Sequence, residues 1–180
     1  ENGAAWWPGV APLAEEAGVP LYVYTPPCAD ILALQEIDYC LLLSWKHVLP
    51  EVMLALAKRA TVNLHYSLLP ELRGVYPVNW ALIEGKKETG VSYHLVTRAI
   101  DAGAVLLQEL VPILPQDTAR SLQLRLDMAA QKLFPLLLQQ LVQHRLVPCA
   151  AKTARTDSYR SREAFLAARE IVLEKAYTGQ

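Results

Sequence analysis

Apolar residues gather in short blocks along this chain, and each block is closed by proline, glycine or charge. Gly9 to Ala17 predicts a short helix after Pro8, and Gly18 supplies the left-handed residue that helix ends favour. LYVYT, Leu21 to Thr25, predicts a strand that Pro26 and Pro27 stop. IDYCLLLS, Ile37 to Ser44, is an unbroken apolar run of strand length, the pattern of a strand covered on both faces of a parallel sheet. Trp45 to Leu49 is its exit loop. Pro50 followed by EVMLALAKR predicts a helix whose Lys58 and Arg59 sit at the negative end of its dipole. TVNLH then returns as a strand, so the stretch reads as a βαβ unit with a right-handed crossover. Pro77 to Glu84 predicts a short helix closed by Gly85, and TGVSYHLV and AVLLQELVPI predict two further strands. The longest helix is expected over Asp117 to Arg145. Its apolar face is Leu122, Leu126, Ala129, Leu133, Leu136, Leu137 and Leu141, and Pro135 is expected to kink it. Lys152 to Arg162 is polar, and Glu163 to Glu174 predicts a last amphipathic helix. No internal repeat or low-complexity tract is visible.

Composition narrows the class. With 180 residues, 53% hydrophobic and 19% charged, the chain can bury one sizeable core. Its 17 basic and 18 acidic residues leave a formal net charge of −1, so no global field draws it to nucleic acid or an anionic membrane. A small-molecule partner is expected. Cys28, Cys40 and Cys149 show no metal-ligand spacing, and an odd number of thiols fits a reducing compartment, which points to the cytoplasm. No apolar run reaches the roughly 18 residues of a membrane span, and no signal peptide is visible. The opening ENGAAWWPG lacks a Met and reads as an internal point of a longer chain.

The candidate chemistry lies in NLHYSLLPELRG, Asn63 to Gly74. Side chains alternate along a strand, so Asn63 and His65 share one face and Leu64 takes the other. Ligands of open α/β sheets bind beyond the carboxyl ends of strands, where the loop from Ser67 to Gly74 begins. Asn offers two uncharged amide donors and His can donate near neutral pH, so the pair can hold a developing oxyanion. Asp101, in the turn AIDAGAV between two predicted strands, is the carboxylate placed to favour the imidazolium or to accept a proton. Each residue also has a plainer reading. Asn and His at a strand end serve as local caps, an Asp before Ala-Gly shapes a turn, and Arg73 is either a ligand contact or surface charge. His94 reads as structural, His144 as a helix-end group, and Trp45 and Trp80 as packing residues.

The run from Asn63 to Gln108 resembles the folate-dependent formyltransferases. That family carries an Asn-x-His strand end, a Ser-Leu-Leu-Pro loop leading to Arg-Gly, a Pro-x-x-Trp-Ala helix, a Thr-Gly-Val strand and an Asp-x-Gly turn. All five elements occur here in order and at the family's spacing, and weaker similarity runs from about Glu1 to about Val147. The resemblance implies an α/β fold, a Rossmann-like mostly parallel sheet lacking its first strand-helix unit in this chain. Neighbouring domains or another chain would then complete the sheet. It implies a catalytic domain over residues 1–150, followed by a carboxy-terminal polar segment and helix over 151–180. It further implies that Asn63 stabilises a tetrahedral intermediate, that His65 protonates or hydrogen-bonds it, and that Asp101 raises the basicity of His65. The cosubstrate implied is 10-formyltetrahydrofolate, with no metal. Its binding residues would be His47, Val48 and Leu49 after one strand, Arg73, and Thr97, Arg98, Ala99 and Ile100 before the Asp. Tyr66 departs from the small or proline residues common at its position, and it is expected to shape the acceptor pocket.

The resemblance implies an N-formyltransferase acting on a primary amine, and the opening sequence and the Arg98 to Ala104 turn look most like the branch that formylates nucleotide-linked amino sugars. A transfer-RNA acceptor is disfavoured, since no basic surface is encoded to track phosphates. The rival within the family is a formylation domain of a nonribosomal peptide synthetase or siderophore pathway acting on an amino acid. A hydrolase, with water in place of the amine, and a catalytically inactive Rossmann-like interaction module are the readings from other classes.

Overall fold

The computed structural model describes residues 10–21, 37–43, 45, 48–149 and 158–168. Helix α1 (Val10–Glu16) lies where the sequence places it. The strand expected over Leu21 to Thr25 falls outside the described residues after Leu21. Strand β1 (Tyr39–Leu43) is followed by a short helix α2 (Glu51–Leu54) and by β2 (Ala60–His65). β1 and β2 are parallel, with Tyr39 opposite Ala60 and Leu43 opposite Leu64. The connecting helix is one turn, shorter than EVMLALAKR suggests. The Lys58 and Arg59 amides already donate to the Ile37 and Asp38 carbonyls, at 2.8 and 3.0 Å, so the chain joins the sheet before the helix can lengthen.

Beyond β2 come the two-residue strand β3 (Arg73–Gly74), helix α3 (Pro77–Ile83), and the strands β4 (Glu88–Leu95) and β5 (Val105–Pro112). The four long strands form one sheet in the order β1-β2-β4-β5. Its parallel part is the β1-α2-β2 unit, and β4 and β5 add to it antiparallel. The molecule therefore has the Rossmann-like α/β architecture the sequence implies. Helix α4 (Ala119–Val142) runs through Pro135 and is capped by Thr118 and Ser121. Strand β6 (Tyr159–Arg160) pairs in parallel with β3, and helix α5 (162–168) follows it.

Helix α4 covers one face of the sheet. Leu122, Leu126, Ala130, Leu133, Leu137 and Leu141 are buried, at steps of three and four, against Val62 and Leu64 of β2, Val91 and Tyr93 of β4, and Leu106 and Val111 of β5. Each buried aliphatic side chain stabilises the fold by about 1.5–3 kcal/mol. Leu136, expected on this face, is half exposed, and Ala130 is buried where Ala129 only packs at the margin. With Val62 and Leu64 turned toward α4, Asn63 and His65 must face the other side. Among the described residues no helix is long and apolar enough to cross a membrane.

Candidate active site

Asn63 and His65 end β2, and antiparallel pairing with β4 sets His94 opposite Asn63 and Ser92 opposite His65. Residues directly opposite in such a pair share a face. The amide Nδ2 of Asn63 lies 3.1 Å from Nε2 of His94. Nδ1 of His94 lies 2.9 Å from the Leu95 carbonyl, which only accepts, so the proton sits on Nδ1 and Nε2 receives the amide hydrogen. The second Nδ2 hydrogen has only a long contact, 3.5 Å to Oδ1 of Asp101. It is the one free to turn to an incoming oxygen.

Asp101 arrives from the β4–β5 turn, with φ at +49°. Its Oδ2 accepts the Gly74 amide at 2.8 Å and stands 3.5 Å from Nδ1 of His65, while Oδ1 is 3.5 Å from Nε2 of His94. His65 is buried, and its Nε2 donates to the Leu72 carbonyl at 2.8 Å. The nitrogen left to do chemistry is Nδ1. Burial lowers the pKa of His65, outweighing the upward pull of the Asp101 charge and the Leu72 carbonyl. Burial alone would raise Asp101, yet its polar neighbours, the Gly74 amide at 2.8 Å among them, hold it below the ordinary carboxylate value. A neutral imidazole thus faces an ionised carboxylate. That pair can accept a proton and stabilise it as imidazolium.

The loop after His65 is fixed from beneath by buried groups that sequence reasoning did not single out. Ser92 Oγ donates to the Ser67 carbonyl at 2.7 Å and accepts from the Leu69 amide at 3.2 Å and from Gln108 Nε2 at 2.8 Å. Sequence reasoning also read His94 as structural. The only signal for it is its place opposite Asn63, which becomes visible once the β2–β4 register is known.

The expected cofactor residues lie at the mouth of this cluster in part. His47 falls outside the described residues. Val48 is exposed, Leu49 half-buried, and the loop from Thr97 to Ile100 is exposed. An ion pair of 2.9 Å between Arg98 and Glu51 ties that loop to the start of α2, directly after Val48 and Leu49. Arg73 reaches the Ile100 carbonyl at 3.5 Å. A recess of about 140 Å³ beside Asp101 is lined by Leu69, Pro70, Arg73, Ala102, Gly103 and Val105. Tyr66 is elsewhere. With Leu64, Tyr93 and Phe134 it lines a cleft of about 380 Å³ on the α4 side, so strand alternation carries it away from the Asn63 face.

The family model described as Formyl transferase matches residues 15–138. The chain belongs to this family. It also superposes on solved structures. The N-formyltransferase of Helicobacter canadensis, solved with folinic acid and dTDP-3-aminofucose, is 22% identical with a TM-score of 0.74 over 89% of this chain and 56% of its own. The formyltransferase PseJ of Anoxybacillus kamchatkensis, in complex with UDP-4,6-dideoxy-4-formamido-L-AltNAc and tetrahydrofolate, is 22% identical with a TM-score of 0.71 over 89% and 85%. Phosphoribosylglycinamide formyltransferase of Anaplasma phagocytophilum is 25% identical with a TM-score of 0.69 over 83% and 77%. The chain spans just over half the length of the Helicobacter structure.

Proposed function

We propose that this protein moves a formyl group from 10-formyltetrahydrofolate to a primary amine on a nucleotide-linked amino sugar. The observation that carries the transfer reading is the convergence of Asn63, His65 and Asp101 at the carboxyl end of β2. The amino-sugar acceptor is supported by the sugar nucleotides in the Helicobacter and PseJ structures. The loops around Val48 and Ile100 fit a flat heteroaromatic ring, since both present exposed apolar side chains and are joined by the Arg98–Glu51 pair. Val48, Leu49, Arg73 and the 97–100 loop would hold the folate, with His47 alongside. Bound there, the folate supplies an activated formyl carbon.

Asn63 turns its free Nδ2 hydrogen to the formyl oxygen as negative charge grows there. One preorganised donor of this kind is worth about 2.7–4 kcal/mol. His65, neutral at rest, takes the proton of the attacking amine at Nδ1 and delivers it to the departing nitrogen. Asp101 stays ionised throughout and stabilises the transient imidazolium. Proton transfer of this type contributes about 10²–10⁴-fold. No step requires a metal.

The deciding assay incubates the full-length protein with 10-formyltetrahydrofolate and either a dTDP- or UDP-linked amino sugar, a panel of amino acids, or no amine, following tetrahydrofolate release. Release only with a sugar nucleotide is expected. Release with amino acids would move the acceptor to the peptide-synthetase class, release without amine would make it a hydrolase, and none at all would leave an interaction module.

A further inference from the structure

The residues that hold the catalytic cluster are themselves held by a segment outside the matched family region. His65 Nε2 depends on the carbonyl of Leu72, and Asp101 Oδ2 depends on the amide of Gly74. The same short stretch of backbone thus fixes both. Leu72 has a φ of +54°, a left-handed conformation that a branched residue does not keep unaided. Ser158 supplies the support. Its Oγ accepts the Leu72 amide at 2.9 Å, its carbonyl accepts the Arg73 amide at 2.8 Å, and its own amide donates to the Pro70 carbonyl at 3.3 Å.

The segment carrying Ser158 is fastened on its far side. Arg160 places two nitrogens 2.9 and 2.6 Å from Oε1 of Glu84 and stands 5.4 Å over the Trp80 ring. Phe165 of α5 packs on Tyr76 and Trp80, at centroid distances of 4.3 and 6.1 Å. The Val75 amide donates to the Arg160 carbonyl at 3.1 Å, and a Cβ on Gly74 would collide with that carbonyl. The backbones meet as closely as a glycine allows.

We propose that Ser158 is a positioning residue for this site, fixing the ring of His65 and the carboxylate of Asp101 through the Leu72–Gly74 backbone. With the Leu72 carbonyl held against Nε2, the proton of the neutral ring stays on that nitrogen and Nδ1 is left open toward Asp101. The groups facing the ring are Asp101 from the β4–β5 turn, His94 from β4 and the Leu72 carbonyl. Because that carbonyl raises the pKa of His65, loosening it moves the titration to lower pH.

The test labels the histidines with ¹⁵N in the full-length protein and follows the His65 ring nitrogens across pH without substrate. Ser158→Ala is expected to mix the two neutral tautomers and to lower the pH at which His65 titrates, while Ser158→Thr, which keeps the hydroxyl, restores both. Should the alanine variant fail to fold, Ser158→Cys, near-isosteric but a weak acceptor, replaces it. In turnover assays kcat should fall about 10- to 100-fold with KM for the folate donor unchanged. Unaltered His65 tautomer and titration in a folded Ser158→Ala or Ser158→Cys protein would overturn the inference. The turnover arm rests on the transfer reading. If the wild-type protein fails to turn over, that reading fails while the NMR result still decides the role of Ser158.

Discussion

Asp101 stands between two imidazoles and a backbone amide, and its charge is the one influence at the site that raises His65 from the side where chemistry would occur. Replacing it by Asn keeps the shape and removes that charge. Asp101→Asn is therefore expected to lower kcat by about 10²–10⁴-fold and to shift the acidic limb of the kcat profile to lower pH, because His65 loses the carboxylate that favours its protonated form. A pH–rate series on both proteins measures the shift, and a limb that stays put or moves upward contradicts the proposed pairing. Strand alternation was enough to put Asn63 and His65 on one face, since that depends only on neighbours in sequence. His94 was not legible in the same way. Its partner is 31 residues away, and only the antiparallel register of β2 and β4 makes a strand histidine into the group that orients an amide.

At the level of elements, the turn from β4 to β5 decides where Asp101 points. Its closure uses a 2.9 Å bond from the Leu95 amide to the Ala104 carbonyl. A Cβ on Gly103 would run into the Leu95 carbonyl, the same carbonyl that fixes the His94 tautomer. Backbone cannot swing aside as a side chain can. Gly103→Ala should therefore cost about 1–3 kcal/mol of stability and reduce turnover well beyond that loss, because Asp101 and His94 move with the turn. Gly85→Ala is the comparison. Its φ of +61° makes alanine strained, yet no atom lies within 4 Å, so about 1 kcal/mol of stability should be lost with turnover retained. Urea unfolding and kcat for the pair test this, and equal effects on turnover would remove the turn from the account. The elements themselves were largely visible in the pattern: α4 followed its leucine spacing, and β2, β4 and β5 fell within a residue or two of their apolar runs. Periodicity overran the length of α2, where sheet hydrogen bonds outcompeted a good helix-forming sequence, and missed the pairing of β3 with β6, since two-residue strands carry no period.

For the whole molecule, the sheet buries its α4 face thoroughly and leaves β1 half-buried, with Leu43 52% exposed. An apolar run alone does not distinguish a half-buried strand from one covered on both faces, because cover is a property of the assembled sheet. Buried charge at the opposite face gives the fold a pH dependence whose direction follows from the shifts. His65 has its pKa lowered from an ordinary 6.5, so as pH falls the unfolded chain binds that proton first and stability declines below 6.5 until the folded pKa is passed. Asp101, lowered from 3.8, contributes stability that is present above 3.8 and is lost as pH falls through its folded pKa. Asp117 behaves like Asp101, and Glu163 titrates from 4.5 downward. Of these four groups, His65 is the one whose shift acts between 4.5 and 6.5. Urea unfolding free energy should thus be smaller at about pH 5 than at about pH 7, on a scale of about 1.4 kcal/mol for each pKa unit of displacement. His65→Asn should flatten that interval while keeping the decline at lower pH, where the carboxylates protonate. A wild-type protein equally stable at both values, or a variant with the same slope as wild type, would show that the buried imidazole is not held neutral by the fold.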